Sequence, residues 1–281
     1  MANSFKQMKN NGTLKRTDSG MFIKLADIHV QEGFNKRVDD ERTQTADDDL
    51  FNHLSSGKPV PPLEVRPRDD GGVWIVEGHR RHRAYLRCRD AGKPVEWIAI
   101  LPFTGSDVER IARIMNSNSQ LALTPYEQSQ VVKELSGFNL SPDEIAALVG
   151  KSRATVDKLL TLTQANHDVQ TLVKDGAVAV DAAVERVKEH GEQAGKVLAG
   201  DVEKAKAAGK KKVTKSFIAP KFSAPKSRKL VTLLAQAEVR EIDGQTAYIL
   251  PAGTQLDVLA ILNEYRSTSG KENPDGSEIY P

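Results

Sequence analysis

The segment VEGHRRHRAYLRCRD, from Val76 to Asp90, contains five arginines and two histidines and follows a run that is typical of a buried β-strand. Gly78 can end that strand and let a helix begin, and the free N–H groups and dipole at a helix start suit an anionic ligand. Arg80, Arg81 and Arg83 add forked hydrogen-bond donors at the same place. The segment therefore predicts a phosphate pocket, and the alternative is a solvated basic face of a helix.

A second group of residues has the spacing for contact with DNA. In the stretch DEIAALVGKSRATVDKLLTL an apolar stripe ends at Gly150, and Ser152 can cap a following helix. This order of helix, glycine turn and helix is typical of a helix-turn-helix, and an ordinary helical hairpin is the alternative. The exposed start of the second helix presents side chains that can reach base edges or phosphates in a major groove, namely Ser152, Arg153, Thr155 and Lys158, with Arg153 the preferred contact.

The composition favours two or three small domains in a reducing compartment. A chain of 281 residues exceeds the usual size of one domain, and 39% apolar, 5% aromatic and 28% charged residues favour a helix-rich protein. The single cysteine, Cys88, excludes an internal disulfide and makes a cysteine-based zinc site implausible. The sequence has no signal peptide and no run of about 18 apolar residues, so we expect a cytoplasmic protein with no membrane role.

The first part of the chain has the pattern of a small α/β domain. Residues 1–20 are polar and are predicted to be disordered. Apolar runs between turn residues then predict strands at 22–30, 63–66, 73–76 and 95–101, with a helix at 80–91. Asp47, Asp48 and Asp49 are interpreted as an acidic cluster at the N-terminus of a helix rather than as a metal site.

The middle of the chain is predicted to be wholly helical. A helix is expected from Asp107 to Met115. Thr124 and Ser141 are each followed by a proline and, three positions after the cap, by a glutamate, which is the pattern of a capping box at a helix start. Further helices are predicted at 168–174 and 181–190.

The last third of the chain changes composition twice. From Asp201 to Lys229, ten lysines or arginines stand against two acidic residues, which is typical of a basic extended linker. Residues 230–266 then have the pattern of a helix, a hairpin around Asp243 and Gly244, and an amphipathic helix. About 37 residues bury little surface alone, so this unit is predicted to dimerise.

The arginine-rich segment, together with its surroundings, resembles a known family. Residues 78–84, GHRRHRA, resemble the G-E-R-R-x-R-A box of ParB/Spo0J-like DNA-partitioning proteins. In that family the box precedes an N-P-x-E-containing helical region and a helix-turn-helix, as residues 124–127 and 141–160 do here. Residues 34–37, FNKR, are similar to the family's N-x-R element. The resemblance covers about residues 22–190 in the family's order and spacing.

The resemblance implies a nucleotide site. The family binds CTP and a magnesium ion between the arginine box and a later E-N-x-Q-R box, and it uses the nucleotide to close a dimeric clamp around DNA. Carried over to this chain, Gly78, Arg80 and Arg81 lie at the triphosphate, and His79 can touch a phosphate. Residues 117–120, SNSQ, match E-N-x-Q, which makes Asn118 and Gln120 candidates near phosphate or metal.

Two departures from the family pattern affect the implied chemistry. His79 stands where the first box has its glutamate, and Ser117 and Leu121 stand where the second box has its acidic residue and its arginine. Loss of that acidic residue weakens the implication of magnesium binding and, with it, of hydrolysis. CTP binding is therefore the stronger implication and weak CTPase activity the weaker one, with no catalytic residue or metal ligand assigned.

The expected fold class is α+β, with a small ParB/sulfiredoxin-like α/β domain, an all-helical helix-turn-helix domain and a small C-terminal α+β dimerisation unit. The expected boundaries are a disordered tail at 1–20, the nucleotide-binding domain at 21–118, the helix-turn-helix domain at 119–190, the basic linker at 191–229, the dimerisation unit at 230–266 and a disordered tail at 267–281.

The implied function is sequence-specific binding of double-stranded DNA for plasmid, phage or chromosome partitioning, by a homodimer that CTP switches between clamp states. The resemblance also implies a ParA-type ATPase as a partner. Two alternatives stay open: a ParB-fold transcriptional regulator without nucleotide switching, and a ParB-fold nucleotide-dependent phosphotransferase or nuclease that needs Glu77. Thiol chemistry of the sulfiredoxin type is disfavoured, because Cys88 lies ten residues past Gly78.

Overall fold

The computed structural model describes residues 3–117, 121–218, 224–242 and 245–269. The chain divides into two compact units, Met1–Thr214 and Lys215–Pro281. The first unit contains a six-stranded sheet followed by a group of helices, and the second contains a two-stranded hairpin flanked by helices. The predicted α+β fold class is confirmed.

A mixed sheet forms the centre of the N-terminal part of the first unit. Its strands are β1 (Leu14–Thr17), β2 (Gly20–Lys24), β3 (Ile28–His29), β4 (Leu63–Pro67), β5 (Val73–Glu77) and β6 (Trp97–Pro102). They lie in the order β1-β2-β6-β4-β5-β3, in which β4 is parallel to β6 and β3 is parallel to β5. Burial alternates along the strands, as a sheet with one packed face requires.

Four helices pack on the sheet or on one another. They are α1 (Phe5–Asn10), α2 (Glu41–Ser55), α3 (His79–Asp90) and α4 (Asp107–Asn116). Met8 of α1 and Leu86 of α3 pack on Ile23, Leu63 and Ile75 of the sheet. Because α2 packs on α3, the arginine-rich segment lies between the sheet and a further helix.

The N-terminus differs from the prediction of a disordered tail at residues 1–20. The helix α1 begins after Ser4, whose side chain accepts a hydrogen bond from the backbone N–H of Gln7. Met8 and Leu14 are both buried in the core of the sheet. These two side chains pack the segment into the core of the sheet, although its overall composition is polar.

The acidic cluster Asp47 to Asp49 also lies elsewhere than predicted. The helix α2 begins at Glu41, and Asp40 is the residue that caps it, accepting from the backbone N–H of Thr43 at 2.7 Å. The cluster therefore lies in the interior of α2, and the interpretation as a helix N-terminus is wrong. Asp47 is instead a partner of arginines on α3.

The rest of the first unit is helical, as predicted. Its helices are α5 (Pro125–Ser136), α6 (Pro142–Val149), α7 (Arg153–Gln164), α8 (His167–Lys174), α9 (Val180–His190) and α10 (Ala194–Ala207). The capping boxes predicted at Thr124 and Ser141 are both formed, with Glu127 and Glu144 as the reciprocal partners. Val131, Val156 and other apolar residues of α4 to α7 form a second core.

The helix α10 lies inside the segment predicted as a linker at residues 191–229. It buries Leu198, Val202 and Ala205, and Asp201 accepts from Arg186 Nε at 2.8 Å. These apolar residues recur at helical spacing, but the many lysines around them dominate the composition. The helical region therefore continues to Ala207, beyond the predicted boundary at residue 190.

The second unit contains α11 (Lys215–Ile218), α12 (Ala224–Ala235), β7 (Glu238–Ile242), β8 (Gln245–Ile249) and α13 (Gln255–Ser269). The predicted hairpin is confirmed, with β7 and β8 antiparallel, while its turn residues 243–244 lie outside the described residues. The predicted tail begins at residue 267, yet α13 continues to Ser269, and residues 270–281 lie outside the described part. Among the described residues, no helix combines the length and apolarity needed to cross a membrane.

Candidate functional site

A sharp turn between β5 and α3 builds the first candidate site. Glu77 ends the strand, Gly78 has φ 107° and ψ 21°, and His79 begins the helix. A Cβ atom at Gly78 would lie 2.5 Å from Leu63 Cδ2, closer than packed atoms approach. Glycine is therefore required here both by the positive φ and by the close approach of the neighbouring strand.

A cavity of about 830 Å³ opens beside this turn. The loop before β4, the ends of β4 and β5, and the helices α2, α3 and α4 contribute to its wall. Its charged lining consists of four arginines and three acidic residues, namely Arg37, Arg80, Arg81, Arg113, Asp49, Glu64 and Glu77. Gly78 and His79 also line it, so the structure brings four of the predicted nucleotide-binding residues to one cavity.

The arginines of the box are held by carboxylates. Arg80 Nε donates to Asp47 Oδ1 at 2.7 Å, and Arg83 Nε donates to Asp47 Oδ2 at 2.9 Å. One aspartate of α2 thus binds two arginines on the same side of α3, as their helical spacing predicts. Arg81 lies on another side and pairs with Glu77. Arg80 and Arg81 reach the cavity, whereas Arg83 lines a smaller neighbouring one.

A further ion pair in the cavity was not predicted from the sequence. Arg113 of α4 donates through Nε to Glu64 Oε2 at 2.7 Å, and the hydrogen bond to Glu64 helps to raise the pKa of Arg113 above its usual value. Glu64 lies between the buried residues Leu63 and Val65 of β4. An acidic residue within an apolar strand is the feature of the sequence that could have predicted this ion pair.

His79 is a neutral residue of the cavity wall. Its ring packs against Phe34 with the centroids 5.8 Å apart. Burial first, and then the nearby charge of Arg83, lower the pKa of His79 to about 4. Its Nε2 is buried and makes no hydrogen bond within the part of the chain that the structure describes. At neutral pH the uncharged ring can form one hydrogen bond with a ligand through Nε2, but it adds no positive charge to the cavity.

Of the second predicted box, only Ser117 and Leu121 lie within the described residues. Ser117 and Leu121 both line the cavity, as Gly78 does. Asn118 and Gln120 lie outside the described residues, so their assignment stays a prediction.

The helix-turn-helix supplies the second candidate site. Gly150 ends α6 in a left-handed conformation, with φ 63°, and Ser152 caps α7 by accepting from the backbone N–H of Thr155 at 3.2 Å. Arg153 and Lys158 follow on the exposed side of α7. The four predicted DNA contacts therefore lie together on the first turns of one helix.

Acidic neighbours hold the two cations of this helix. Arg153, which is 56% exposed, pairs with Asp143 of α6 and lies 3.6 Å from Asp157. Lys158 Nζ lies 2.6 Å from Asp181 of α9. Exposed pairs of this kind are weak, so a phosphate or a base edge can replace the carboxylates.

The comparisons with known proteins match the helix-turn-helix region. A family model described as the ParB HTH domain matches residues 122–205. The chain is also 31% identical over 169 residues to a ParB protein of Vibrio cholerae, which covers 59% of this chain and 54% of that relative. The chain contains a ParB-type helix-turn-helix domain.

Other curated relatives of the chain are of the same kind. It is 30% identical over 124 residues to the chromosome-partitioning protein Spo0J of Thermus thermophilus, with 44% of each chain covered. It is 27% identical over 157 residues to the chromosome-partitioning protein ParB of Myxococcus xanthus, covering 54% of this chain and 51% of that relative. The chain spans about half the length of the curated relatives that it matches.

Solved structures were also found for ParB from Caulobacter crescentus. The C-terminally truncated protein complexed to the centromeric parS site has a TM-score of 0.46 and 22% identity, and the match covers 66% of this chain and 97% of that one. The same truncated protein complexed with CTP-γ-S has a TM-score of 0.29 and 24% identity, with 63% and 97% covered.

Proposed function

We propose that this ParB-like chain is a partition protein that binds a specific site on double-stranded DNA through α6 and α7. The observation that carries the proposal is the ParB HTH match, which spans both helices and the exposed start of α7. The curated relatives are named as chromosome-partitioning proteins, which favours this role over that of a transcriptional regulator. The first turn of α7 then contacts base edges, as in other helix-turn-helix proteins.

The second unit makes the chain a homodimer in this proposal. Its described part buries only a few large apolar residues, Leu233, Val258 and Ile261. Other apolar side chains stay exposed on the hairpin and helices, including Val231, Val239, Tyr248 and Leu256. A unit this small with so much exposed apolar surface gains stability when a second copy covers it. A dimer also lets two copies of α7 bind a paired DNA site.

The cavity at Gly78 takes a nucleotide, and the family resemblance makes it CTP. A volume of about 830 Å³ lies in the range of small-molecule pockets. The N-terminus of α3 offers backbone N–H groups to a phosphate, and Arg80 and Arg81 add charged donors. A side chain at Gly78 would meet Leu63 and the guanidinium of Arg81, so glycine lets Arg81 lie beside the helix start. In this proposal, nucleotide binding changes how the dimer holds DNA.

A magnesium ion fits the described residues less well than CTP does. Within the described part of the chain, no group of three or more histidine, cysteine, aspartate or glutamate side chains is arranged to hold a metal ion. Of the three acidic residues that line the cavity, Glu64 and Glu77 are each paired with an arginine, which leaves Asp49. Any magnesium ion therefore depends mainly on the nucleotide's own phosphates for ligands. A ParA-type ATPase partner belongs to the proposal on the family resemblance alone.

Arg153→Ala tests the DNA part of the proposal. We expect the variant to lose roughly 1–3 kcal/mol of binding free energy for the preferred site, because Arg153 contacts a base edge there. The site is first selected by the wild-type chain from a random pool of duplexes, and affinity for selected and random DNA is then measured at one salt concentration.

Lys133→Ala is the control for this experiment. It removes one exposed positive charge from α5, outside the helix-turn-helix pair. Its discrimination between selected and random DNA should match that of the wild type. If Arg153→Ala also keeps full discrimination, the assignment of Arg153 as a base contact is wrong.

A further inference from the structure

Arg81 is the most fully bonded arginine of the box. Its Nη1 donates to the carbonyl oxygens of Pro61 and Pro62, each at 2.6 Å, and its Nη2 pairs with the carboxylate of Glu77. The two side chains of this pair are only 13% and 20% exposed. The loop before β4 thus fixes one nitrogen of the guanidinium, and Glu77 takes the other.

The guanidinium of Arg81 lies directly over the turn at Gly78. Its Nη2 and Cζ lie 3.1 and 3.2 Å from the position that a Cβ of Gly78 would occupy. This is the start of α3, where backbone N–H groups suit a phosphate. Arg81 is therefore already in place at the anion site, and its partner there is a carboxylate of the chain itself.

Glu77 has a close acidic neighbour. It is the register partner of Glu64 across β4 and β5, so both carboxylates line the same cavity. They bind different arginines, since Glu64 pairs with Arg113 and Glu77 with Arg81. Glu64 and Glu77 therefore carry the same charge in the same cavity, but only Glu77 pairs with Arg81.

We propose that Glu77 is an internal competitor that occupies the phosphate-binding donor of Arg81 until a nucleotide displaces it. Carboxylate and phosphate oxygens accept the same forked donors of a guanidinium, so one excludes the other at Nη2. The inference rests on the proposed binding of nucleotide at this cavity. Glu77 then acts through Arg81 as a positioning residue. It weakens the binding of every anion, and it favours highly charged ligands because these compete better for Arg81.

Glu77→Gln removes the competing charge while keeping the shape of the side chain. We expect this variant to bind CTP about tenfold more tightly than the wild type, because Arg81 no longer has to leave a charged partner. The affinity for CMP should rise at least as much as the affinity for CTP, because CMP carries fewer charges and competes less well with Glu77 for Arg81. Affinities of the full-length chain are measured by equilibrium dialysis, with thermal unfolding to verify the fold. Glu77→Ala serves as a second variant should the glutamine variant not fold.

Two charge-matched variants separate this contact from the general field of the cavity. Glu64→Gln removes the same charge from the same cavity but leaves the Glu77–Arg81 pair intact, and its effect on CTP affinity should be clearly smaller. Asp70→Asn removes a charge from the exposed turn between β4 and β5, where Asp70 pairs with Arg68, and should change nothing. Equal tightening by Glu77→Gln and Glu64→Gln overturns the inference.

The inference and the proposed function fail in different ways. A wild-type chain that binds CTP, together with unchanged or weaker binding by Glu77→Gln, overturns the role of Glu77 alone. Absence of CTP binding from wild type, Glu77→Gln and Glu77→Ala alike overturns the proposed nucleotide site and the inference with it. Binding that appears only in the Glu77 variants supports both.

Discussion

Glu127→Ala lowers the free energy of unfolding of the first unit by about 3–5 kcal/mol, as expected for loss of a buried charged partner. Glu127 is 0% exposed. Its carboxylate accepts from the backbone N–H groups of Val38 and Thr124, each at 2.7 Å, and from Arg42 Nη2 at 3.3 Å. Alanine leaves these donors without their acceptor in a site that water does not reach.

The matched control for Glu127→Ala is Glu144→Ala. Glu144 holds the same place in its capping box, accepting from the backbone N–H of Ser141 at 2.7 Å, but it is exposed. Water can replace the hydrogen bonds of Glu144, so Glu144→Ala should lower the free energy of unfolding much less than Glu127→Ala does. Both variants are compared with the wild type by urea unfolding followed by circular dichroism. Equal losses for the two glutamates would contradict the importance assigned to the buried network.

Acidification destabilises the first unit through His82. The side chain is 5% exposed, and neither ring nitrogen finds a hydrogen-bond partner among the described residues. Burial first, and then the neighbouring His29, lower the pKa of His82 to about 4 from an unfolded value of 6.5. The folded state therefore prefers the neutral ring, and the stabilisation is complete above pH 6.5 and is lost as the pH falls towards 4. The difference between the folded and unfolded pKa values of His82 corresponds to a loss of about 3 kcal/mol in the free energy of unfolding by pH 4.

His82→Leu tests this origin of the acid sensitivity. The free energy of unfolding is measured between pH 7.5 and pH 4.5 for the wild type, His82→Leu and His167→Gln, which changes an exposed histidine at the start of α8. We expect the pH slope to become shallower in His82→Leu and to stay steep in His167→Gln. A slope that persists unchanged in His82→Leu assigns the acid sensitivity to other groups.

Local signals were sufficient to predict several features of this fold. The capping boxes at Thr124 and Ser141 are complete within four residues, so the starts of α5 and α6 were predicted correctly. Gly78 between an apolar strand and a helical run predicted the turn, and the structure places a cavity there. In each case the residues that determine the structure are adjacent in the sequence.

Features that depend on distant residues were not predictable in the same way. The acidic cluster of α2 was assigned to a helix start because its partners, Arg80 and Arg83, lie more than thirty residues away in the sequence. The pair of Glu64 and Arg113 joins a strand to a helix across the cavity. Short segments with few buried residues, such as α1, are likewise held by packing that composition does not reveal.

Selective binding of CTP at the cavity is the property on which the proposed clamp depends. Equilibrium dialysis of the full-length chain against CTP, ATP, GTP and UTP, with and without the selected DNA, measures it directly. We predict that the wild type prefers CTP and that Arg80→Ala binds it roughly tenfold to a hundredfold more weakly. Arg89→Ala, which alters an exposed arginine of α3 paired with Asp90, should bind as the wild type does. Equal indifference of the wild type to all four nucleotides, or undiminished CTP binding by Arg80→Ala, would contradict this account.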